Sequence, residues 1–388
     1  MPSPSDNYPF EEDRAATRRI LVNGSYAPSL INFRGPLLQA LVDAGLDVHA
    51  SAPDIPAEMV QTLRTMGVTA HSLPLQRTGR GLLGDLSYFR ALRRLIAEIG
   101  PDCVMGYTIK PNIWGSFAAR LAGVRSYSWV TGLGYVFIDG QGLGRKVTQF
   151  IARQLYRRAT GFNHKVIFQN PDDMADFVAS GCLLDPSKTA MVNGSGVDTE
   201  YFQPVALPDA PVFLLIARLL RSKGLTEYGE AVQLLRGKLP GARFQLAGML
   251  DEGPDAISQA ELNALIAQGV EYLGELSDVR PAIAAASVYV LPSWREGTPR
   301  TVLEAMAMGR PIITNDVPGC RQTTVHDVTG LLVQPFDPAA LASAMEQLGN
   351  DAAMRVRMGY ASSTRVQEIY AVEKVNAAMM QIMEITPV

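Results

Sequence analysis

The sequence predicts an α/β protein built of two doubly wound halves. Three observations carry this. Short apolar runs alternate with segments of helical spacing, the pattern of parallel strands covered by helices. The alternation starts afresh after a proline-crowded segment, Gln203-Pro-Val-Ala-Leu-Pro-Asp-Ala-Pro211, of the kind that joins domains. The chain has 388 residues, too many for one typical core and natural for two domains of somewhat under ~200 residues each.

In the first half, residues 19–23 read as a strand, followed by a loop, a helix over about 35–44 ending at Gly45, and a strand over 46–51. Helices are expected at 56–66, 86–99 and 113–122, and strands at 103–107 and 166–169. Met191-Val192, followed by Asn193-Gly-Ser-Gly-Val-Asp198, closes this half. The second half opens with a strand at 212–217, a helix at 225–238 and a strand at 243–248. A short strand at 270–273, a helix at 279–286 and a strand at 287–291 follow. Strands at 311–314 and 330–333 and helices at 338–349 and about 354–383 complete it. The expected organisation is a tail over 1–17, a first domain over 18–205, a second over 206–365, and a terminal helix over 366–388.

The most informative stretch is Ser293-Trp-Arg-Glu-Gly-Thr-Pro-Arg-Thr-Val-Leu-Glu-Ala-Met-Ala-Met-Gly309. It follows a buried strand. Thr298 is suited to cap a helix whose first position is Pro299, and Gly309 with Pro311 stops it. Glu296 then sits in a strand-end loop and Glu304 in the first turns of the helix. Ligands of open α/β sheets bind beyond the carboxyl ends of the strands. Loop amides and a helix N-terminus suit an anion such as a diphosphate. Two carboxylates repel that anion unless they bind hydroxyls, and sugar and ribose hydroxyls are the obvious candidates.

A second element, Ala217-Arg218-Leu-Leu-Arg-Ser-Lys223-Gly224, closes a strand and opens a helix. A diphosphate is strongly anionic, and more so when it departs from a bonded group. Arg218 offers it a bidentate fork, Lys223 a point charge, and the helix end a partial positive charge. This pair stands where a metal would otherwise be needed, and no Asp-x-Asp is present to hold one. Arg221 is the weaker phosphate candidate.

Bulk properties narrow the field. With 47% hydrophobic and 19% charged residues the chain is globular in composition. The net charge of −3 argues against general nucleic-acid binding. It hides an asymmetry: residues 77–158 carry thirteen Lys/Arg against four Asp/Glu, which suggests anionic lipid or diphosphate partners for that surface. Cys103, Cys182 and Cys320 form no paired motif and fit a reducing cytoplasm, and four dispersed histidines suggest no zinc site. Residues 1–17 are polar and do not read as a signal peptide. No uncharged apolar stretch reaches the ~18 residues needed to span a bilayer, so membrane association is expected to be peripheral.

The segment Glu-Gly-x-Pro-Arg-x-x-x-Glu-Ala-Met-Ala resembles the donor-site motif of retaining glycosyltransferases with the GT-B fold, in glycosyltransferase family 4. The Arg218–Lys223–Gly224 element resembles the family's Arg-x4-Lys-Gly. The resemblance implies two Rossmann-like domains facing across a cleft, no metal or other cofactor, and a nucleotide-sugar co-substrate, with UDP as the nucleotide. It implies that Arg218 and Lys223 hold the diphosphate, that Glu296 contacts the transferred sugar, and that Glu304 contacts the ribose. Gly297, Thr298 and Pro299 bring backbone close to the sugar and diphosphate, and the loops of Gly248 and Leu276 wall the base. Pro318-Gly-Cys-Arg-Gln322 departs from the family, which commonly has Glu at this last position, so no catalytic role is expected of that loop.

Four further segments resemble a subgroup that builds bacterial surface polysaccharides on lipid-diphosphate-linked acceptors. They are Asn32-Phe-Arg-Gly35-Pro, Tyr107-Thr-Ile-Lys110-Pro-Asn, Val130-Thr-Gly-Leu-Gly-Tyr-Val136 and Phe168-Gln-Asn-Pro171. Asn23, Gly24, Arg34, Gly35 and Lys110 are the candidates for the acceptor side. The segment from Gly144 to Arg158 places Val147, Phe150, Ile151 and Leu155 at helical spacing, with Lys146, Arg153 and Arg157 largely off that stripe. An in-plane membrane helix reads this way, as does a core-packed helix with a basic outer face.

Two rival classes remain on the residues alone. A sugar-nucleotide epimerase shares the architecture and donor pocket but needs no sugar acceptor. A non-catalytic sugar-nucleotide-binding protein would be expected to lose the Arg–Lys pair or a glutamate, and neither is lost here. A nicotinamide dehydrogenase is disfavoured because Asn23-Gly-Ser-Tyr-Ala stands where Gly-x-Gly-x-x-Gly belongs.

Overall fold

A computed structural model describes residues 19–76, 82–133, 143–251 and 253–386, with the side chains of 82 and 143–146 excluded. The expected tail, Arg77, Arg80, residues 134–136 of one motif, and the Arg145 and Lys146 side chains therefore lie outside the described residues.

Among the described residues, thirteen parallel strands form two sheets. The first contains β1 (Arg19–Asn23), β2 (Asp47–Ala52), β3 (Val68–Ser72), β4 (Cys103–Tyr107), β5 (Arg125–Val130), β6 (Lys165–Phe168) and β7 (Thr189–Met191). The second contains β8 (Val212–Ile216), β9 (Arg243–Ala247), β10 (Val270–Tyr272), β11 (Val288–Leu291), β12 (Ile312–Asn315) and β13 (Gly330–Val333). The first runs β3-β2-β1-β4-β5-β6-β7 and the second β10-β9-β8-β11-β12-β13. Both orders reverse beside the sheet's first strand, between β1 and β4 and between β8 and β11. Such a reversal opens a crevice at the carboxyl ends of the two strands.

β8 shows why these residues become interior strand. Val212, Leu214 and Ile216 join one apolar cluster and Phe213 and Leu215 another, one on each face. A parallel strand covered on both sides must be apolar throughout. The predicted strands are all present, with ends shifted by a residue or so. β3 and β5 were missed because they carry polar side chains, and the three-residue β7 was read only as the end of the first half. In β5, Ser126 accepts a bond from Asn163 at 3.0 Å and Ser128 lies 3.4 Å from Ser116, so buried hydroxyls stand where apolar residues were expected. The terminal helix expected over 354–383 is broken. Ala352–Arg365 gives way to a π-turn at Val366–Tyr370, and Val372–Ile382 resumes. Ala371 leaves the helix to bridge to Val197.

The chain divides into two compact units, residues 1–128 with 162–165 and 379–388, and residues 129–161 with 166–378.

Candidate functional site

The loops leaving β8 and β11 meet at the strand-order reversal of the second sheet. After β8 the chain makes a single helical turn, Arg221–Lys223, and enters the helix Leu225–Leu235. After β11 it forms the loop that carries Glu296. Lys223 Nζ donates to Glu296 Oε1, and both side chains are largely buried. Arg218 Nη1 donates to Asp251 at 2.6 Å. Glu304 is buried and paired with Arg300, one helical turn away, at 2.8 Å. Burial pushes the Glu304 carboxyl above its ordinary range, and the Arg300 guanidinium offsets part of that rise. The structure thus brings Lys223 and Glu296 together across the ends of β8 and β11, with Arg218 just after β8 but turned to Asp251 on the loop after β9, and Glu304 on the helix Arg300–Ala307 that follows the Glu296 loop.

The start of that helix differs from the sequence expectation. Pro299, not Thr298, is its N-cap, and no side chain caps it. Thr298 instead turns its hydroxyl toward the Gln169 carbonyl, at 3.3 Å. The N-terminal amides of Arg300–Ala307 therefore have no side-chain cap, the arrangement that favours an anion.

The loop carrying Glu296 is held from several directions. Trp294 donates its backbone N–H to Ser222 at 2.9 Å and its indole N–H to Glu227 at 2.9 Å, tying the loop to the Lys223 turn. Arg295 forms ion pairs with Asp173 and Asp176. Asp173 is fully buried, and burial raises its carboxyl although Arg295 pulls it down. Asn170 Nδ2 donates to the Gly297 carbonyl at 2.7 Å. A side chain on Gly297 would begin 2.2 Å from the Thr131 carbonyl, so only glycine fits there. Glu296 N donates to the Pro318 carbonyl at 3.0 Å. That loop is braced in turn: Gln322 accepts from Gly319 N and donates to Asp172, while Tyr370 and Arg365 donate to the Gln322 carbonyl. Gln322 therefore does structural service where no catalytic role was expected.

Gly248 follows β9 with φ +148°, and a side chain there would start 1.8 Å from the Ala217 carbonyl. Glycine alone permits the approach of this loop to the Arg218 segment. Gly248 N donates to the Gly274 carbonyl at 2.8 Å, and half-buried Leu276 packs on the cluster containing Leu291 and Val302. Arg221 is engaged elsewhere, in a paired contact with Glu261.

In the first unit, Gly24 follows β1 and Tyr107 ends β4 at the other strand-order reversal, and the two pack together. Ser29 lies 2.8 Å from the Tyr107 hydroxyl, and the buried Arg34 guanidinium sits 4.7 Å over the Tyr107 ring. Gly35 is the first residue of the helix Gly35–Asp43. Thr108 donates to Ser25 at 2.8 Å. Lys110 donates to Asp85 at 2.7 Å and to the Gln76 carbonyl at 2.9 Å. Asn23 is fully buried. It donates to Tyr88 at 2.8 Å and accepts from Ser51 at 3.0 Å, so its side chain lies in the core beneath the Gly24 turn.

The helix Leu143–Phe162 corrects one of the two readings of its stripe. Val147, Phe150 and Ile151 are 49%, 63% and 51% exposed, and Gln149, Tyr156, Ala159 and Thr160 form the buried face. Its first described turns are therefore not core-packed through the apolar stripe. Arg157 and Arg158 are exposed further along the same helix. The helix Leu82–Ile99 repeats the pattern, with Leu83 and Leu86 exposed near its start and Arg90, Arg93 and Arg94 exposed after them. No helix among the described residues is long and apolar enough to cross a membrane.

Asp251, Trp294, Arg295 and Asn170 escaped the sequence reading. Asn170 had a signal: Asn followed by Pro marks a helix start, and it does cap Pro171–Ala179. The others have partners distant in sequence.

Comparison with known proteins accords with this geometry. The family described as Glycosyl transferases group 1 matches residues 210–351, and the Glycosyl transferase 4-like domain matches residues 34–194. The N,N'-diacetylbacillosaminyl-diphospho-undecaprenol alpha-1,3-N-acetylgalactosaminyltransferase of Campylobacter jejuni is 29% identical over 85% of this chain and 89% of its own. The UDP-Gal:alpha-D-GlcNAc-diphosphoundecaprenol alpha-1,3-galactosyltransferase of Escherichia coli is 24% identical over 74% of this chain and 77% of its own. Among solved structures, a sucrose-phosphate synthase from Thermosynechococcus elongatus superposes with a TM-score of 0.79 at 21% identity, over 95% of this chain and 98% of its own. Two parallel Rossmann-like sheets, both family domains in chain order and whole-length likeness to glycosyltransferases agree: the chain belongs to the GT-B glycosyltransferases of family 4.

Proposed function

We propose that this glycosyltransferase moves a hexose or N-acetylhexosamine from a UDP-linked donor to a lipid-diphosphate-linked acceptor, with retention of configuration and without a metal, in bacterial surface polysaccharide or glycan synthesis. The observation that carries the reading is the Lys223–Glu296 pair at the strand-order reversal between β8 and β11, with Arg218 on the same loop as Lys223. Two cations on one strand-end loop and a carboxylate on the next suit a diphosphate joined to a hydroxyl-rich ring. The names of the two curated relatives support the acceptor class, since both contain a diphospho-undecaprenol, and the alpha linkage in both supports retention. The UDP-Gal in one name supports the nucleotide.

In this mechanism Arg218 and Lys223 bind the diphosphate oxygens. The bond between the anomeric carbon and the β-phosphate oxygen lengthens first, and its electron pair goes to the phosphate that the two cations stabilise. An oxocarbenium-like sugar forms. The acceptor hydroxyl attacks from the face the leaving group vacates and passes its proton to a phosphate oxygen. Glu296 orients the sugar and eases its positive charge, while Glu304 holds the ribose. Gly248, Leu276, Gly297, Thr298 and Pro299 shape the donor pocket in this reading. The acceptor falls to the domain over 18–205, through Gly24, Arg34, Gly35, Lys110 and the turn supported by Asn23. The domain over 206–365 takes the donor, and residues 366–388 return to the first.

We also propose that the protein works at the cytoplasmic face of an anionic membrane. The support is the pair of helices that each begin with exposed apolar residues and continue with exposed arginines, an arrangement suited to an interface rather than to a span.

The test is a screen of sugar nucleotides by thermal shift and slow hydrolysis. Stabilisation by a UDP-sugar, lost in Lys223→Ala, is the expected result. Conversion of UDP-N-acetylglucosamine into an epimer without any acceptor would replace the transferase reading with the epimerase one.

A further inference from the structure

Each charged group assigned to the donor pocket already has an opposite charge from the chain itself. Glu296 engages Lys223, Asp251 engages Arg218 at 2.6 Å, and Arg300 engages Glu304 at 2.8 Å. The first two matter for release. Lys223 and Glu296 are both largely buried, so their attraction is poorly screened. Arg218 is half-exposed and its partner Asp251 less so. Any diphosphate that takes these two cations must compete with both carboxylates, and then lie beside them.

We infer that Asp251 and Glu296 are competing counter-ions that weaken retention of the departing nucleoside diphosphate. This rests on the donor-pocket reading above and adds a role to it. The two carboxylates differ in what they oppose. A nucleotide sugar repays the displacement of Glu296, because its ring hydroxyls donate to the freed carboxylate. The nucleoside diphosphate product lacks the transferred sugar ring and leaves that carboxylate facing phosphate oxygens. Glu296 therefore disfavours product more than substrate. Asp251 lies on the loop after β9 and pairs with the Arg218 guanidinium, and the donor-pocket reading gives it no sugar hydroxyl to bind, so it opposes both alike. A crevice that must hold one diphosphate ester and expel the bare diphosphate gains turnover from this arrangement.

The experiment measures affinity for UDP, with GDP and ADP as companions, and for the UDP-sugar found in the screen. Isothermal titration is done on the full chain, wild type, Asp251→Asn, Asp251→Ser and Glu296→Gln. An exposed ion pair typically contributes up to ~1 kcal/mol. Asp251→Asn and Asp251→Ser should then bind UDP and the UDP-sugar about 2- to 5-fold more tightly. Glu296→Gln should tighten UDP by about tenfold while leaving the UDP-sugar nearly unchanged. Unchanged or weaker UDP binding in both Asp251 variants would mean that Asp251 positions Arg218, and would overturn its part. Equal effects of Glu296→Gln on UDP and UDP-sugar would overturn the other part. If the wild type binds UDP and Lys223→Ala does not, either failure leaves the donor pocket standing. If the wild type binds none of the nucleoside diphosphates, the pocket and this inference fall together.

Discussion

Asn170 reaches the carbonyl oxygen of Gly297 with its amide nitrogen at 2.7 Å, while its amide oxygen accepts from Asp173 N at 2.7 Å. One buried side chain thus caps the helix Pro171–Ala179 and fixes the residue beside Glu296. The two tasks separate by substitution. Serine caps a helix about as well as asparagine but has no amide donor to reach Gly297. Asn170→Ser should lower stability by less than about 1 kcal/mol plus the cost of one unpaired carbonyl, whereas Asn170→Ala loses the cap as well, about 1 kcal/mol more. Turnover should fall in both to a similar degree, because both release the Gly297 carbonyl. Urea denaturation beside initial rates checks this. Turnover that tracks stability across the two variants would show that the Gly297 contact does not serve the chemistry.

Glu296 faces Lys223 from a loop tied down on both sides, so its substitution should act on chemistry more than on structure. Glu296→Gln keeps the shape and removes the charge. Its turnover should fall about a hundredfold, the usual scale for one preorganised charge-stabilising group, with little change in affinity for the nucleotide sugar. Steady-state rates measured beside direct binding separate the two effects. Near-normal turnover would remove Glu296 from the reaction.

Much of this pocket was legible in the chain because its parts are local. Arg218 and Lys223 lie on one turn after an apolar strand, and Glu296 and Glu304 on one loop and helix after another. Apolar runs such as Val212–Ile216 announce interior parallel strands, so the strand-order reversals followed from alternation. The braces were not legible. Arg295 meets Asp173 and Trp294 meets Glu227 across long stretches of sequence, and no local pattern marks such pairs. Asn23 misled for a related reason: a polar residue at a strand end looks exposed until Tyr88 and Ser51 are seen to enclose it. The stripe of Val147, Phe150 and Ile151 had a helical period that was correct and a facing direction that periodicity alone does not supply.

Glu304 makes stability depend on pH in a direction opposite to an exposed, paired carboxylate. Its ordinary pKa is 4.5, and burial lifts it in the folded protein despite Arg300. Below 4.5 both folded and unfolded chains hold the proton, and the residue contributes nothing. Between 4.5 and the higher folded value the folded chain binds more protons, so stability falls as pH rises. Above that value the loss is complete. Glu304→Gln removes this dependence. The melting temperature of the variant minus that of wild type should therefore increase from pH 4 toward pH 7. A difference that is flat or decreases over that range would show that Arg300 fully compensates the burial.

The exposed faces of Leu143–Phe162 and Leu82–Ile99 make a prediction in which apolar and charged contributions come apart. Arginines near an anionic surface contribute about 1 kcal/mol each and are screened by salt. Neutralising the exposed Arg157 and Arg158 together should therefore weaken binding to vesicles rich in anionic lipid by up to about thirtyfold at low salt, with little left to lose at high salt. Replacing Phe150 and Ile151 by serine removes apolar burial instead, so its loss should persist at high salt and on neutral vesicles. Because Phe150 and Ile151 are 63% and 51% exposed, the serine variant should melt near wild type, which separates surface loss from unfolding. Vesicle co-sedimentation across a salt series reads both. If neither variant changes sedimentation, the arginines and the apolar turn serve some surface other than a membrane.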